Sequence, residues 1–187
     1  MRMSNCQHSD SGVNLLTTDL QGMSKMARNV FFSFHFGNDY WRTNQIRQMG
    51  SLQGQAVCRP NEWEEVKRKG AASIEAWIDE NMKGKSCVVV LVGSETALRP
   101  WVLKEIVKGW NGGKGVLGIR IDKLLDSESK PSRPGQNPFD MIDCGAGKLS
   151  SRVDLITPQG FDSKAVYADI HANMERWIET AIRKRNA

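Results

Sequence analysis

Few residues in this chain have types and spacings that suggest chemistry. One string, Gly113-Lys114-Gly115-Val116-Leu117-Gly118, spells G-x-G-x-x-G. That fingerprint cradles a dinucleotide pyrophosphate when it follows a strand and opens a helix. Here it follows a helical segment and opens an apolar run, so it reads as a turn. A phosphoacceptor site needs an acidic cluster after the first strand and an Asp ending the third. The chain offers Phe34-His35-Phe36-Gly37 and then Ser94 instead. A flavin site needs a hydroxyl- and Gly-rich phosphate loop after the first strand, and none stands there.

What remains is Arg99-Pro100-Trp101-Val102-Leu103-Lys104-Glu105-Ile106. On a helix, Trp101 and Glu105 lie four apart and share a face. Val102, Leu103, Ile106 and Trp110 fall on neighbouring positions suited to docking on a sheet. Taken by its residue types, Glu105 reads as a surface carboxylate balanced by Lys104 and Lys108, an everyday helix arrangement. Other side chains also read two ways. Phe34 lines a pocket or fills core, and His35 is a ligand-facing imidazole or a satisfied loop histidine. Arg42 grips a phosphate bidentately or pairs with Asp39. Trp101 flanks a pocket or packs on the sheet. His8 and His171 have no companions that would give them a role.

These residues must be positioned by an alternation of strands and helices. Asn29–Phe34 is a β-branched and aromatic run expected to form a central strand. The segment 39–49 is expected to be helical and to end at Gly50, with a short strand near Gln55–Cys58 after it. Asn61 and Glu64 have the spacing of a helix cap and its partner, and Gly70 divides the helix that follows. Ile74, Trp77, Ile78 and Met82 then make one buried stripe. Ser86–Val92 has no polar alternation, as in a strand covered by helices on both faces. Pro100 suits the first turn of a helix running to about Trp110. Val116–Ile121 is the next strand, residues 122–150 form a loop region, and residues 152–156 form a last strand. A closing helix over 163–185 carries Val166, Ile170, Met174, Trp177, Ile178 and Ile182 on one side. Five strands alternating with helices predict a doubly wound α/β domain of flavodoxin-like order. Its ligand crevice lies beyond the carboxyl ends of the strands, next to Ser33–Asp39, Gly93–Arg99 and the chain after Ile121.

Composition narrows the function classes. The 187 residues fit one domain, with hydrophobic residues at 40% and charged residues at 25%. Residues 1–27 lack a periodic apolar face and are expected to be a flexible tail. The folded domain then spans 28–187, with Met23 and Met26 as alternative starting points. The net charge of +5 and pI of about 9.1 suit acidic small molecules as well as nucleic acid. The basic residues are not interleaved with aromatics, which makes nucleic acid the weaker partner class. Cys6, Cys58, Cys87 and Cys144 form no C-x-x-C pair and no zinc site, and Cys87 reads as a small buried hydrophobe. No apolar stretch has spanning length and no secretory signal core is present, so a reduced, cytoplasmic protein is expected.

The Glu105 segment gains meaning from a resemblance. Trp101-Val102-x-x-Glu105-Ile106, after the strand and the Gly93-Ser94-Glu95-Thr96 turn, resembles the third-helix motif of TIR domains. Val30-Phe31-Phe32-Ser33-Phe34-His35 resembles the first strand of the bacterial TIR-like subfamily. Arg42-x-Asn44-x-x-Arg47, Trp63-Glu64 and Asn137-Pro138-Phe139-Asp140 add to the likeness. Together, over about residues 28–142, they are similar to the TIR-like sensor proteins of the Thoeris antiphage defence system. The resemblance implies an NAD-cleaving enzyme with Glu105 as its catalytic carboxylate. It places Ser33, Phe34, His35, Asp39, Arg42, Ser94 and Trp101 around the substrate. NAD is then a substrate, and neither a cofactor nor a metal is needed. The product is a cyclic ADP-ribose-type messenger that activates a separate effector protein. A phage-derived trigger and self-assembly belong to the same picture. The alternative within the family is a catalytically silent module that signals by protein–protein contact.

Overall fold

Apolar runs that lack alternation end up in the middle of a parallel sheet. The computed structural model describes residues 28–49, 64–66, 68–145 and 147–186. Strands β1 (Val30–Phe34), β2 (Cys87–Val92), β3 (Gly115–Arg120) and β4 (Leu155–Ile156) lie side by side in that order, all parallel. Among the described residues, helices α1 (Phe36–Arg47), α2 (Ala71–Met82), α3 (Pro100–Asn111) and α4 (Ser163–Asn186) cover them. This is the expected flavodoxin-like α/β architecture. Of the five expected strands, the one near Gln55–Cys58 lies outside the described residues, as do the 1–27 tail and the Asn61 cap. No helix among the described residues is long and apolar enough to cross a membrane.

Three local differences have physical causes. Helix α1 begins at Phe36, three residues before the expected Asp39, because His35 takes an extended conformation and its carbonyl accepts from the Asp39 N–H at 2.9 Å. The last strand is two residues long rather than five. Residues Leu149–Ser151 form a 3-10 turn, to which the Arg152 and Val153 N–H groups donate, so the chain reaches the sheet late. The loop region 122–150 also contains the 3-10 turn Pro138–Met141, capped by the Asn137 side chain accepting from the Phe139 N–H at 3.1 Å. Phe139 is fully buried, and a Cβ on Gly118 would stand 2.9 Å from its ring, so this turn plugs the sheet against a strand glycine.

Period-2 alternation divides the core between the two sheet faces. Val30, Phe32, Cys87, Val89 and Leu91 join Val166, Ile170, Met174 and Ile178 of α4 on one face. Phe31, Val88, Val90 and Val92 join Ile74, Ile78 and Met82 of α2 and Val102 and Ile106 of α3 on the other. Trp77 is half-buried, edge-on to Phe31 with ring centroids 6.4 Å apart. By this alternation Ser33 shares the face of Phe31, the side covered by α3. That places a hydroxyl from the end of β1 beneath the helix that carries Glu105.

Candidate active site

On α3 the residues facing the sheet are Val102, Glu105, Ile106 and Gly109, at helical i, i+3, i+4 and i+7 spacing. Glu105 therefore stands within the apolar stripe and is only 6% exposed. Its carboxylate accepts a hydrogen bond from the Ser33 hydroxyl at 2.5 Å. Among the described residues no cation forms an ion pair with it. The two lysines that would balance a surface Glu105 turn away: Lys104 pairs with Glu75 at 2.6 Å and Lys108 with Asp79 at 2.6 Å, both on α2. The surface-pair reading of Glu105 is thereby corrected, since α2 supplies the acids for both lysines. Burial pushes the Glu105 carboxyl up to about 8, with Ser33 opposing the shift by donating to the charged form.

A cavity of about 310 Å³ opens onto this carboxylate. Its walls are Phe34, His35 and Phe36 from the end of β1 and start of α1, and Arg99, Trp101 and Val102 from the start of α3. Phe34 stacks on Phe36 with centroids 5.8 Å apart, giving a flat apolar wall. Lys104 sits 4.5 Å over the Trp101 ring. Burial, and secondarily Arg99, lowers the His35 pKa, so the imidazole is neutral at pH 7. Its Nδ1 is buried without a hydrogen-bond partner, 3.9 Å from Glu95. Among the described residues no His, Cys, Asp or Glu group is arranged to hold a metal ion.

Ser33, Phe34, His35 and Trp101 are thus gathered at Glu105. Asp39, Arg42 and Ser94 do not line this cavity. Arg42 is 3% exposed, and its guanidinium is fully engaged. It donates to the carbonyls of Leu124, Asn38 and Lys130 at 2.8, 3.1 and 2.9 Å, and to Asp39 and Asp126 at 3.3 and 3.2 Å. Of the two readings of Arg42, the structure realises the pair with Asp39, extended into a clamp on the loop after β3. Asp39 is buried against Gly93, where an added Cβ would meet its carboxylate at 2.3 Å. Burial raises its carboxyl to about 6 despite Arg42. Ser94 lies half-buried beneath Gly135, part of the loop that Arg120 holds through the Gly135 carbonyl at 2.8 Å. Arg99, Glu64 and Phe36 also line the cavity. The sequence put Phe36 and Arg99 within the crevice segments without a role of their own, and gave Glu64 a place only as a cap partner and part of the family likeness. The available signal for Arg99 was its position just before Pro100, at the carboxyl edge of the sheet.

Comparison with known proteins bears on the family. The chain is 33% identical over 122 residues to a protein of Bacillus cereus (strain MSX-D12) named "Putative cyclic ADP-D-ribose synthase ThsB1". That match covers 63% of this chain and 64% of the relative, just under two thirds of either. Residues 31–126, more than half of the chain, match the family model described as Thoeris protein ThsB, TIR-like domain. The matched span runs from β1 through α3 to the Arg42-clamped loop, taking in both Ser33 and Glu105, and the chain belongs to this family of Thoeris TIR-like domains.

Proposed function

We propose that the protein cleaves NAD at the nicotinamide–ribose bond and converts the ADP-ribosyl part into a cyclic ADP-ribose-type messenger. One observation carries this reading: a buried carboxylate, held by a serine and with no cation paired to it among the described residues, forms the floor of a ligand-sized cavity. Structural carboxylates are rarely left so, because burial without a counter-ion is costly. A substrate that brings positive charge supplies what the site lacks. When the C–N bond breaks, nicotinamide leaves as a neutral ring with the bonding electrons and the ribose becomes oxocarbenium-like. Glu105 stabilises that developing charge through a desolvated environment, and Ser33 fixes its position. Phe34 and Trp101 form walls against which a flat nicotinamide ring packs. An internal acceptor atom of the same molecule then closes the ring, or water yields the linear product.

The named relative and the family favour this enzyme over a silent interaction module. In the same reading, infection supplies a trigger, self-assembly accompanies activation, and the messenger acts on a separate effector protein. Glu105→Gln is the direct test, since it keeps size and helix propensity and removes the charge. Metabolites from infected cells carrying the variant at matched protein levels should show messenger and nicotinamide reduced at least about a hundredfold, or roughly 2.7 kcal/mol of lost transition-state stabilisation. Lys108→Gln breaks only the bridge to Asp79 and should leave the signal intact. Full activity in Glu105→Gln would sink the mechanism.

A further inference from the structure

We propose that Arg99 binds the diphosphate of the dinucleotide at the rim of the Glu105 cavity, and that Glu95 is the internal anion which this diphosphate displaces. The inference rests on the NAD-cleaving reading and adds to it where the substrate's anionic centre sits and what competes for that place.

The cavity orders its charged groups by depth. Glu105 is 6% exposed at the floor and the Arg99 side chain 39% exposed at the edge, where its partner Glu95, just outside the lining, is 44% exposed. Of the described residues that line the cavity, Arg99 is the single Arg or Lys. Glu105 stands six positions after Arg99, the cap residue of α3, a rise of about 9 Å along a helix. That is the scale of one ribose with its 5′-phosphate. A sugar carbon held at Glu105 therefore puts the phosphates at the guanidinium, with the adenosine half lying beyond the rim.

The guanidinium is only partly satisfied. Its Nη2 is ion-paired with Glu95, while its buried Nε has no hydrogen-bond partner. A buried donor without an acceptor is unfavourable, and the Nε–Nη edge is the fork that phosphate oxygens accept bidentately. Glu64 also lines the cavity, so without Arg99 a dianionic diphosphate meets acidic neighbours on the way in. Glu95 holds the guanidinium in the ligand-free protein and must give up Nη2 when phosphate arrives.

Nicotinamide release, measured in lysates of infected cells across a range of NAD concentrations, tests this. Arg99→Gln should raise KM about tenfold, or ~1.4 kcal/mol, with kcat within about twofold. Arg99→Lys should restore part of the affinity as a point charge without the fork. Glu95→Gln should lower KM severalfold, because the competing anion is gone. A merely structural ion pair moves both variants in the same direction. Unchanged KM in Arg99→Gln, or a raised or unchanged KM in Glu95→Gln, overturns the proposal. If Arg99→Gln is insoluble, Glu95→Gln alone decides by the same rule. Glu105→Gln separates the two levels of the reading. Release at the wild-type rate in that variant, or none from the wild type, overturns the enzyme itself. A silent Glu105→Gln with unaffected Arg99 variants overturns only the assignment of the diphosphate.

Discussion

In the proposed reaction Glu105 acts as an anion at the moment of bond breaking, yet its surroundings favour the protonated form. With its carboxyl pushed up to about 8 by burial, most molecules of the free protein hold the proton at pH 7. The kcat/KM for NAD reports the ionisation of the free enzyme. With the anion as the active form in the proposed reaction, kcat/KM should rise with pH and level off only above about 8. A profile flat between roughly pH 6 and 9 would show that another group, or none, controls the rate. Ser33 works against burial by donating to the carboxylate at 2.5 Å. Ser33→Ala removes that donor, so the profile should move to still higher pH and the rate at pH 7 should fall about tenfold, or ~1.4 kcal/mol. Unchanged titration in Ser33→Ala would mean that the hydroxyl only fills space.

Helix α3 carries the site, and its seat on the sheet sets how deep Glu105 lies. Gly109, one turn after Glu105 on the same stripe, allows the close approach: a Cβ there would meet Val88 Cγ2 at 2.4 Å. In an exposed helix, Gly→Ala stabilises by about 1 kcal/mol. Here Val88 is a stiff β-branched residue in a fully buried strand, and overpacking of this kind costs typically about 1–3 kcal/mol. Gly109→Ala should therefore lower Tm rather than raise it, and reduce NAD cleavage by lifting α3 from the sheet. A raised Tm with full activity would show slack in this interface. The outer side of α3 is tied to α2 by Lys104–Glu75 and Lys108–Asp79, exposed pairs that guide orientation more than they stabilise.

Across the whole molecule, one sheet with two buried faces seats the parts of the candidate site, and the carboxyl end of β1 meets α3 there through Ser33 and Phe34. Val89 lies on the α4 side, fully buried and away from the cavity. Val89→Asp introduces an unpaired charge there at a cost of several kcal/mol, so soluble protein should be lost altogether. Normal yield and Tm would mean that this core face is not the one that holds the fold. The sequence by itself determined the α/β alternation and most helix spans, because periodicity and caps are written in short spacings, whereas the Trp101–Glu105 segment stood out only through its resemblance to TIR domains. The turn reading of Gly113–Gly118 stands for the same reason, since β3 opens at Gly115. Only the tertiary structure decided that Glu105 is buried, because the water it loses is displaced by Ser33 and the sheet, 72 residues away in the chain. It likewise gave Lys108 to Asp79 on a neighbouring helix and divided Arg42 between Asp39 and the loop after β3. Both outcomes turn on which distant acceptors the fold brings near. No local pattern records whether a carboxylate keeps its water, since that depends on what folds over it.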